Sequence, residues 1–327
     1  MNCIKEEFSL EVKLISVVVP CYNEQDVLPL FRDEIIKVTD GMKKKHPALD
    51  FEFLFINDGS KDGTLKILRE YSEKDGRFRY ISFSRNFGKE AAMYAGLENC
   101  KGDYAVIIDA DLQHPPSFIP EMYEYVSSGE YDCAATRRVS RKGEPGLLSF
   151  LSRMFYKVIN KISQTNIVDG AQDFRFMTRQ MVDSILSMQE YNRFSKGIFS
   201  WVGFETKYIG YENVKRAAGK TAWSFRKLFL YSLEGIFAFT TAPLALASFL
   251  GALFSFAAFV MIVYTVIDYF LHGSPVAGYP TIVCLVLLIG GVQLLSVGIL
   301  GQYTAKMYFE TKKRPIYIVK ETESKEL

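Results

Sequence analysis

The 327-residue sequence lacks most of the features that mark secreted or nucleic-acid-binding proteins. Its five cysteines show no metal-site spacing and fit reduced thiols in a cytosolic compartment. A net charge of +2 is too small to indicate a nucleic-acid partner. The segment MNCIKEEFSLEVK at the start lacks the apolar core of a signal peptide, so we expect the region after it to stay inside the cell.

Charged residues are absent from two long stretches near the end of the sequence. No Lys, Arg, Asp or Glu occurs from Gly235 to Ile267 or from Gly273 to Ala305. A helix needs roughly 20 apolar residues to cross a bilayer, so each stretch is long enough to span. Buried core helices are the alternative, but adjacent runs of this length are rare in soluble proteins. We therefore predict a two-helix transmembrane hairpin, at about 241–269 and 280–303.

Basic residues flank this hairpin but are missing from its connecting segment, 268–279. The flanking residues are Arg216, Lys220, Arg226, Lys227, Lys306, Lys312, Lys313 and Arg314. Because short loops rich in Lys and Arg stay on the cytoplasmic side, we expect both long ends of the chain in the cytoplasm. The partner expected for this basic surface is anionic lipid.

The first 130 residues alternate apolar, strand-like runs with amphipathic segments. The predicted strands are 14–20, 51–58, 78–84 and 104–109, and the predicted helices are 26–42, 63–74 and 89–99. This alternation is typical of an α/β fold, a mostly parallel sheet with helices on its faces. Because the carboxyl ends of parallel strands share an edge, the residues after these strands should line one rim.

Four regions follow from this organisation. They are a cytoplasmic catalytic domain (1–212), a juxtamembrane amphipathic region (213–237), two transmembrane helices (238–305) and a cytoplasmic basic tail (306–327). The juxtamembrane region mixes basic and aromatic residues and should lie in the membrane interface. Small residues such as Gly251 and Gly298 allow close helix contact, either within the hairpin or in a homo-oligomer, a dimer or a tetramer.

The fourth predicted strand runs into two aspartates, Asp109 and Asp111, in the segment DYAVIIDADLQHPP, and we expect the two to alternate at the strand end. Paired carboxylates beyond a strand end usually hold a hard metal that neutralises phosphate, although such a pair can also cap a loop. We take Asp111 as the first metal ligand, with Gln113 and Asp109 close enough to help; Mg²⁺ or Mn²⁺ suits these oxygen atoms. Such a cation indicates nucleotide-sugar chemistry. His114 is expected to be a structural loop residue.

Four segments stand at the ends of the predicted strands: VVVPCYNEQDVL, FINDGSKDGT, FSRNFGKEAAMYAGL and IIDADLQHPP. In this order and spacing they resemble the family 2 glycosyltransferases, which have the nucleotide-binding fold called GT-A. A second set, DFRFMTR, RFSKGIFSWVGF, RAAGKTAWSFRKL and GQYTAKMYFETKKRPIYIV, is similar to the polyprenyl-phosphate glycosyltransferases. That subfamily includes dolichol-phosphate mannose synthases and bacterial undecaprenyl-phosphate glucosyltransferases. The resemblance covers about 15–319.

This resemblance implies a GT-A fold (mostly parallel sheet, helices on both faces) with interfacial amphipathic helices and the transmembrane hairpin. The implied enzyme moves one sugar, with inversion, from a nucleotide diphosphate sugar to polyprenyl phosphate at the cytoplasmic face of the bacterial inner membrane. The donor would be UDP-glucose or a related UDP-sugar, with GDP-mannose also open. The lipid-linked product would serve cell-envelope glycosylation.

The donor site is expected along the strand ends. Asp58 ends a strand, where a carboxylate can accept a hydrogen bond from a base or a ribose, and the family uses this N-D-G-S segment for the nucleotide. By resemblance, Pro20, Tyr22 and Glu24 contact base and ribose; an ordinary strand-to-helix turn is the alternative. Lys89 follows another strand and is either a ligand of the donor phosphates or a plain surface charge.

The acceptor site is expected to be basic. By its match to the family's D-F-R segment, Asp173 is the candidate base, or a residue that orients a group, since a phosphate is largely ionised at pH 7. The guanidinium of Arg193 could grip the acceptor phosphate. Arg175 is a second option, unless it forms a structural ion pair with Asp173. Arg226 and Lys227 suit lipid phosphate at the headgroup level.

Three other functions remain open at this point. A processive polysaccharide synthase should carry a Q-x-x-R-W motif and more spans, but the segment that starts at Gln189 has the wrong spacing and Phe194 in place of Trp. A membrane-anchored scaffold would have kept the fold and lost catalysis, which the intact acidic motifs argue against. A phosphoglycosyl transferase would release a nucleoside monophosphate.

Overall fold

One mixed sheet organises the folded region of this computed structural model, which describes residues 12–139, 160, 168–191, 193–211, 242–272 and 278–323. Within these ranges eight strands pair in the order β7-β5-β6-β4-β1-β2-β3-β8. The strands are β1 (Lys13–Cys21), β2 (Leu49–Asn57), β3 (Phe78–Phe83), β4 (Tyr104–Ile107), β5 (Cys133–Arg138), β6 (Ala171–Thr178), β7 (Thr206–Tyr211) and β8 (Val319–Thr322).

Eight α-helices lie within the described ranges, and the first three of them connect the central strands. They are α1 (Leu28–Lys45), α2 (Thr64–Lys74), α3 (Lys89–Asn99), α4 (Ile119–Ser127), α5 (Arg179–Ser187), α6 (Ser195–Trp201), α7 (Ala242–His272) and α8 (Tyr279–Thr311). β1 pairs in parallel with β2 and β4, and β2 with β3, whereas β6 runs antiparallel to both β4 and β5. The expected α/β sheet is therefore confirmed, and its parallel half carries the strand ends of interest.

The central strands are buried on both faces, which explains their nearly continuous apolar sequences. Because side chains alternate along a strand, Val17 belongs to the core cluster with Phe31 of α1, and Val18 belongs to the opposite cluster with Ala92 of α3. Gly96 lets α3 approach closely, since a Cβ at this position would overlap the side chain of Val18. Both faces of the sheet are thus covered by helices.

The strand before the acidic pair is shorter than predicted. β4 ends at Ile107, so Asp109 and Asp111 lie in the following loop and do not alternate on a strand end. Leu112 adopts a left-handed backbone conformation, with φ of 56°. The turn gives the carboxylates different surroundings: Asp111 is 7% exposed, whereas the side chain of Asp109 is 24% exposed.

The end of the chain returns to the sheet, so the region predicted as a cytoplasmic basic tail, 306–327, contributes a strand to the folded domain. β8 adds an antiparallel edge strand next to β3. Before it, the ring of Tyr317 stacks on Phe83 with 5.0 Å between centroids. Arg69 of α2 donates two hydrogen bonds to the carboxylate of Glu321, each of 2.6 Å. These contacts outweigh the basic composition that suggested a solvated tail.

Two apolar helices precede this last strand. Pro243–Met261 of α7 and Leu288–Thr311 of α8 are long and apolar enough to cross a membrane, and neither is buried inside the protein. The two helices contact each other. They suggest membrane association, as predicted. The juxtamembrane region at 213–237 lies outside the described residues.

Candidate active site

The turns after β1 and β2 interlock at the carboxyl edge of the sheet. Asn23, in a left-handed conformation with φ of 56°, donates its backbone N–H to Ser60 Oγ at 3.0 Å. Its Oδ1 accepts a hydrogen bond from the N–H of Lys61 at 2.9 Å. The N–H of Glu24 donates to Thr64 Oγ1 at 2.9 Å. The two turns therefore form one rigid rim.

Three residues predicted to contact base and ribose lie on this rim. Pro20 is half-buried in β1, and Tyr22 is 43% exposed, so its ring can be reached by a ligand. Glu24 is half-buried, and its carbonyl oxygen accepts a hydrogen bond from the N–H of Leu28 at 3.0 Å where α1 begins. This placement fits both the predicted nucleotide contact and an ordinary turn.

Asp58 points at protein backbone. Its carboxylate accepts hydrogen bonds from the N–H groups of Phe87 and Gly88, at 2.6 and 2.9 Å. The residue is 3% exposed, and burial raises its pKa while the two amides lower it. Gly59 next to it leaves room for this loop, since a Cβ at that position would lie 2.6 Å from the backbone nitrogen of Asn86. Asp58 thus holds the segment that leads into α3.

Lys89, the first residue of α3, joins a carboxylate from the loop after β4 to a carboxylate from β6. Its Nζ lies 2.8 Å from the carboxylate of Asp109 and 2.7 Å from that of Asp173. The antiparallel pairing of β4 and β6 brings these acids together, because it places Ile107 opposite Arg175. The side chain of Lys89 is still 41% exposed, so a ligand at the rim can reach it.

The charges in this group stabilise one another. Burial opposes the charge on Lys89, but the carboxylates of Asp109 and Asp173 raise its pKa well above its usual value. Burial alone would raise the pKa of Asp173; the charges of Lys89 and Lys196 outweigh it and hold that pKa well below its usual range. Asp173 is therefore ionised at neutral pH and a weak proton acceptor.

The donor set around Asp111 suits a hard cation. Asp111 Oδ1 accepts a hydrogen bond from the N–H of Gln113 at 3.1 Å, and the side chain of Gln113 is half-buried beside it. In the ranges that the structure describes, no group of three or more His, Cys, Asp or Glu side chains is placed to hold a metal. Two carboxylates and an amide fit Mg²⁺ or Mn²⁺ that takes further ligands from a diphosphate and water.

Glu90 was missed by the sequence analysis. Its carboxylate accepts hydrogen bonds from the backbone N–H of Ser195, at 3.1 Å, and from the hydroxyl of the same residue. Burial, together with the charge of Asp173, raises the pKa of Glu90 to about 7. The contact ties α3 to α6. Its only sequence signal was adjacency to Lys89, since Ser195 is distant in the chain.

His114 is packed beside the acidic loop without polar contacts among the described residues. It is 6% exposed, and its ring lies 5.9 Å from that of Phe174 and 5.4 Å from that of Tyr211. Burial lowers its pKa below the usual value. A neutral imidazole between aromatic rings agrees with the structural loop role that we expected.

Arg175, the second candidate for the acceptor phosphate, is buried in the protein. It is 2% exposed, and its guanidinium lies over the ring of Phe199 at 3.5 Å from the ring centre. Its Nη2 donates to the carbonyl oxygen of Gln172 at 3.0 Å. Arg175 shares a strand face with Asp173, but α6 covers it. Nor does any ion pair between these two residues occur in this part of the structure.

The side chain of Arg193 donates hydrogen bonds to backbone carbonyls at the C-terminal end of α5. Its Nη1 donates to the carbonyl oxygen of Met188 at 2.5 Å and its Nη2 to that of Ile185 at 3.4 Å, while the guanidinium lies 4.5 Å from the ring centre of Tyr94. Two of its five N–H donors are therefore engaged by these backbone carbonyls. Arg193 also lines a cavity of about 230 Å³ with Glu90, so one side of it remains open.

The basic pair predicted at the headgroup level cannot be placed. Arg226 and Lys227 lie outside the described residues. The structure therefore brings together Lys89, Asp109 and Asp173, with Asp111 in the adjoining loop. Arg175 is buried under Phe199, and Arg193 lines the cavity of about 230 Å³ while donating two hydrogen bonds to backbone carbonyls. The resulting rim can hold a diphosphate between an exposed ammonium and a cation held by carboxylates.

Comparisons with known proteins extend this description. The profile of glycosyl transferase family 2 matches residues 16–186. The putative glycosyltransferase CsbB of Bacillus subtilis is 43% identical over 308 residues, which cover 94% of this chain and 92% of its own. The bactoprenol glucosyl transferase of Shigella phage SfV is 39% identical over 311 residues, 95% of this chain and 99% of its own. Among solved structures, this chain is similar to glucosyl-3-phosphoglycerate synthase from Mycobacterium tuberculosis, in a complex with Mn²⁺, UDP-glucose and phosphoglyceric acid. The alignment has a TM-score of 0.46 and a sequence identity of 19%, and it covers 70% of this chain and 80% of that chain.

Proposed function

This chain belongs to glycosyl transferase family 2, and we propose that it moves a single sugar from a nucleotide diphosphate sugar to a polyprenyl phosphate. The observation that carries the acceptor is the likeness to a bactoprenol glucosyl transferase, at 39% identity over 95% of the chain. UDP-glucose is the donor we propose first, before other UDP-sugars and GDP-mannose. Lys89 supports a nucleotide diphosphate donor, because its ammonium has a third N–H, beyond those given to Asp109 and Asp173, that can donate to a diphosphate oxygen.

The reaction is a direct displacement. An oxygen of the lipid phosphate attacks the anomeric carbon, the bond from that carbon to the diphosphate oxygen breaks, and the configuration inverts. A phosphate monoester, with a second pKa of about 6, is largely a dianion at neutral pH and needs no base. Asp173, whose pKa is well below its usual range, therefore orients Lys89 and does not take a proton.

The departing diphosphate is stabilised from two sides. Lys89 faces the rim with its ammonium held by Asp109 and Asp173, so its position is fixed before the substrate arrives. Asp111 and Gln113, with Asp109, would hold Mg²⁺ or Mn²⁺, which supplies charge neutralisation for the departing phosphates. Tyr22 is exposed at the end of the rim where we propose the nucleoside lies.

The membrane placement completes the proposal. α7 and α8 form a hairpin across the bacterial inner membrane, with the sheet and both ends of the chain in the cytoplasm. This orientation is supported by the basic residues that flank the two apolar stretches, since Lys and Arg favour the cytoplasmic side. Arg226 and Lys227 would contact lipid phosphate there. A homo-oligomer, a dimer or a tetramer, remains a prediction.

The test measures nucleotide release by the purified protein in detergent, with polyprenyl phosphate, Mg²⁺ or Mn²⁺, and a panel of nucleotide sugars. We expect lipid-dependent release of a nucleoside diphosphate with one donor, and loss of release in Asp111→Asn. Release of a nucleoside monophosphate would identify a phosphoglycosyl transferase. Nucleotide binding without release from any donor would favour a scaffold, and a product that grows by many sugars would indicate a polysaccharide synthase.

A further inference from the structure

A crevice of about 700 Å³ opens where α8 ends, beside the returning chain that leads into β8. We call it the α8 crevice; its principal lining residues are Tyr94, Glu98, Tyr191, Lys313, Arg314 and Tyr317. Nothing in the chemistry proposed above uses it. It lies between α3, the segment after α5 and the last turn of α8, so it joins the catalytic domain to an apolar helix.

The walls of the α8 crevice are fixed by specific contacts. The ring of Tyr191 stacks on Phe309 with 5.7 Å between centroids and 11° between planes. The N–H of Tyr191 donates to the carboxylate of Glu310 at 3.0 Å. On the other side, the hydroxyl of Tyr317 donates to Glu98 at 2.6 Å. Because both walls are held by rings and hydrogen bonds, the crevice is a preformed feature of the fold.

The α8 crevice is lined by two carboxylates, Glu98 and Glu310, and by two cations, Lys313 and Arg314, and these groups differ in their contacts. Its two carboxylates already accept protein hydrogen bonds, Glu98 from tyrosine hydroxyls and Glu310 from a backbone amide. Lys313 and Arg314 are exposed, and their side chains make no ion pair or hydrogen bond within the described ranges. Lys313 adopts φ of 46°, which turns the chain out of the helix at this point. The crevice therefore offers two cations to an anion.

The position along α8 indicates which anion this is. The apolar segment Leu288–Thr311 ends directly before Lys312, Lys313 and Arg314. A cation at the end of a spanning helix lies at the level of lipid phosphates, and aromatic rings favour the same level. We propose that the α8 crevice binds the phosphate of a membrane lipid. This inference rests on the proposed membrane placement of α8 but not on sugar transfer.

The α8 crevice adjoins the smaller cavity near the active site. Tyr191 and Ile316 line both, and the smaller cavity also contacts Arg85, Glu90 and Arg193. Glu90 directly follows Lys89 in α3. The α8 crevice is thus separated by one shared wall from a cavity that Glu90 and Arg193 line. The source of this phosphate is either an anionic phospholipid or the polyprenyl phosphate acceptor itself.

The test is native mass spectrometry of the delipidated full-length protein in detergent, without nucleotide sugar. The lipid probes are phosphatidylglycerol, polyprenyl phosphate and, as the zwitterionic comparison, phosphatidylcholine. We expect the anionic lipids to bind at least about 10-fold more tightly than phosphatidylcholine, and the double variant Lys313→Gln/Arg314→Gln to weaken them by roughly 10–30-fold. The matched control is Lys37→Gln/Lys44→Gln, which removes the same charge from exposed positions of α1.

A second variant guards against a folding defect. Ile316→Trp fills the wall shared by both cavities and keeps both cations, and it should weaken the same lipids. Equal binding of all three lipids, or a double variant that behaves like the α1 control, would overturn the site. Competition between the two anionic lipids identifies the source, since the physiological ligand displaces the other. If the protein binds these lipids but releases no nucleotide in the separate transfer assay described under the proposed function, the proposed function is contradicted and this lipid site is not.

Discussion

The ammonium of Lys89 and the carboxylate of Asp173 form an ion pair with a nitrogen–oxygen distance of 2.7 Å. The two residues belong to α3 and β6, and the same ammonium contacts Asp109 in the loop after β4. One side chain thus connects three separate elements at the carboxyl edge of the sheet. Its partly exposed nitrogen is positioned before any substrate binds, which lowers the reorganisation needed during transfer.

Replacing Lys89 by Met should abolish most activity. The change removes the cation between Asp109 and Asp173 and leaves two carboxylates facing the donor diphosphate. We expect kcat/KM for the donor to fall about 100-fold or more, the range seen when a preorganised donor to a developing anion is removed. Initial rates of nucleoside diphosphate release measure this effect. Lys66→Met, at an exposed position of α2, is the control, and equal rates in the two variants would contradict this role.

Asp173→Asn should change the amplitude of the pH–rate profile and not its shape. If Asp173 only orients Lys89, the acidic limb should still follow ionisation of the acceptor phosphate, near pH 6, while the plateau drops roughly 10–100-fold. Rates across that range at saturating donor and acceptor measure this. A variant rate that instead rises in proportion to hydroxide would identify Asp173 as the base.

Asp58→Asn should loosen the loop that leads into α3. The amide nitrogen of Asn cannot accept a hydrogen bond, so the N–H of Phe87 or of Gly88 loses its partner, at a cost of about 1–3 kcal/mol. We expect a lower unfolding temperature and a several-fold higher KM for the donor, because the loop sets the position of Lys89. Asp26→Asn, an exposed change nearby, is the control. Unchanged stability with an increased KM would instead assign Asp58 to direct nucleotide contact.

Glu90 should make stability depend on pH. Its pKa in the folded protein, about 7, lies above the ordinary value of 4.5, so between these values the native state binds more protons than the unfolded state. The free energy of unfolding should therefore fall by about 1–3 kcal/mol as pH rises through this window. Unfolding temperatures at about pH 5 and about pH 7.5 measure this change, and Glu90→Gln should reduce it. The same pH dependence in Glu90→Gln as in wild type would exclude Glu90 as its source.

Local patterns sufficed to predict the parallel half of the sheet. The apolar runs predicted every boundary of β1 to β4 to within two residues. The amphipathic segment predicted at 89–99 has the same bounds as α3, Lys89–Asn99. The rim followed because parallel strands end together. Asp109 and Asp111 were found for the same reason, although β4 ends before them.

Contacts between distant segments were not predictable in this way. Lys89 and Asp173 are 84 positions apart, and their pairing depends on β6 running antiparallel to β4. Strand alternation puts Arg175 on the same face as Asp173, but nothing local reveals that Phe199 covers it. From composition alone the end of the chain was predicted to be a basic tail. Its place in the sheet depends on partners of Glu321 that lie far away in the sequence, in α2 and β3.

β8 also imposes an order on biosynthesis. The ribosome makes the sheet from β1 onward, but the strand that covers the outer edge of β3 emerges only after both apolar helices have been synthesised. Until then β3 presents unpaired backbone groups, the kind of edge that recruits other chains. Completion of the catalytic domain is therefore coupled to synthesis of the hairpin, and a chain truncated before Val319 leaves the ribosome with that edge open.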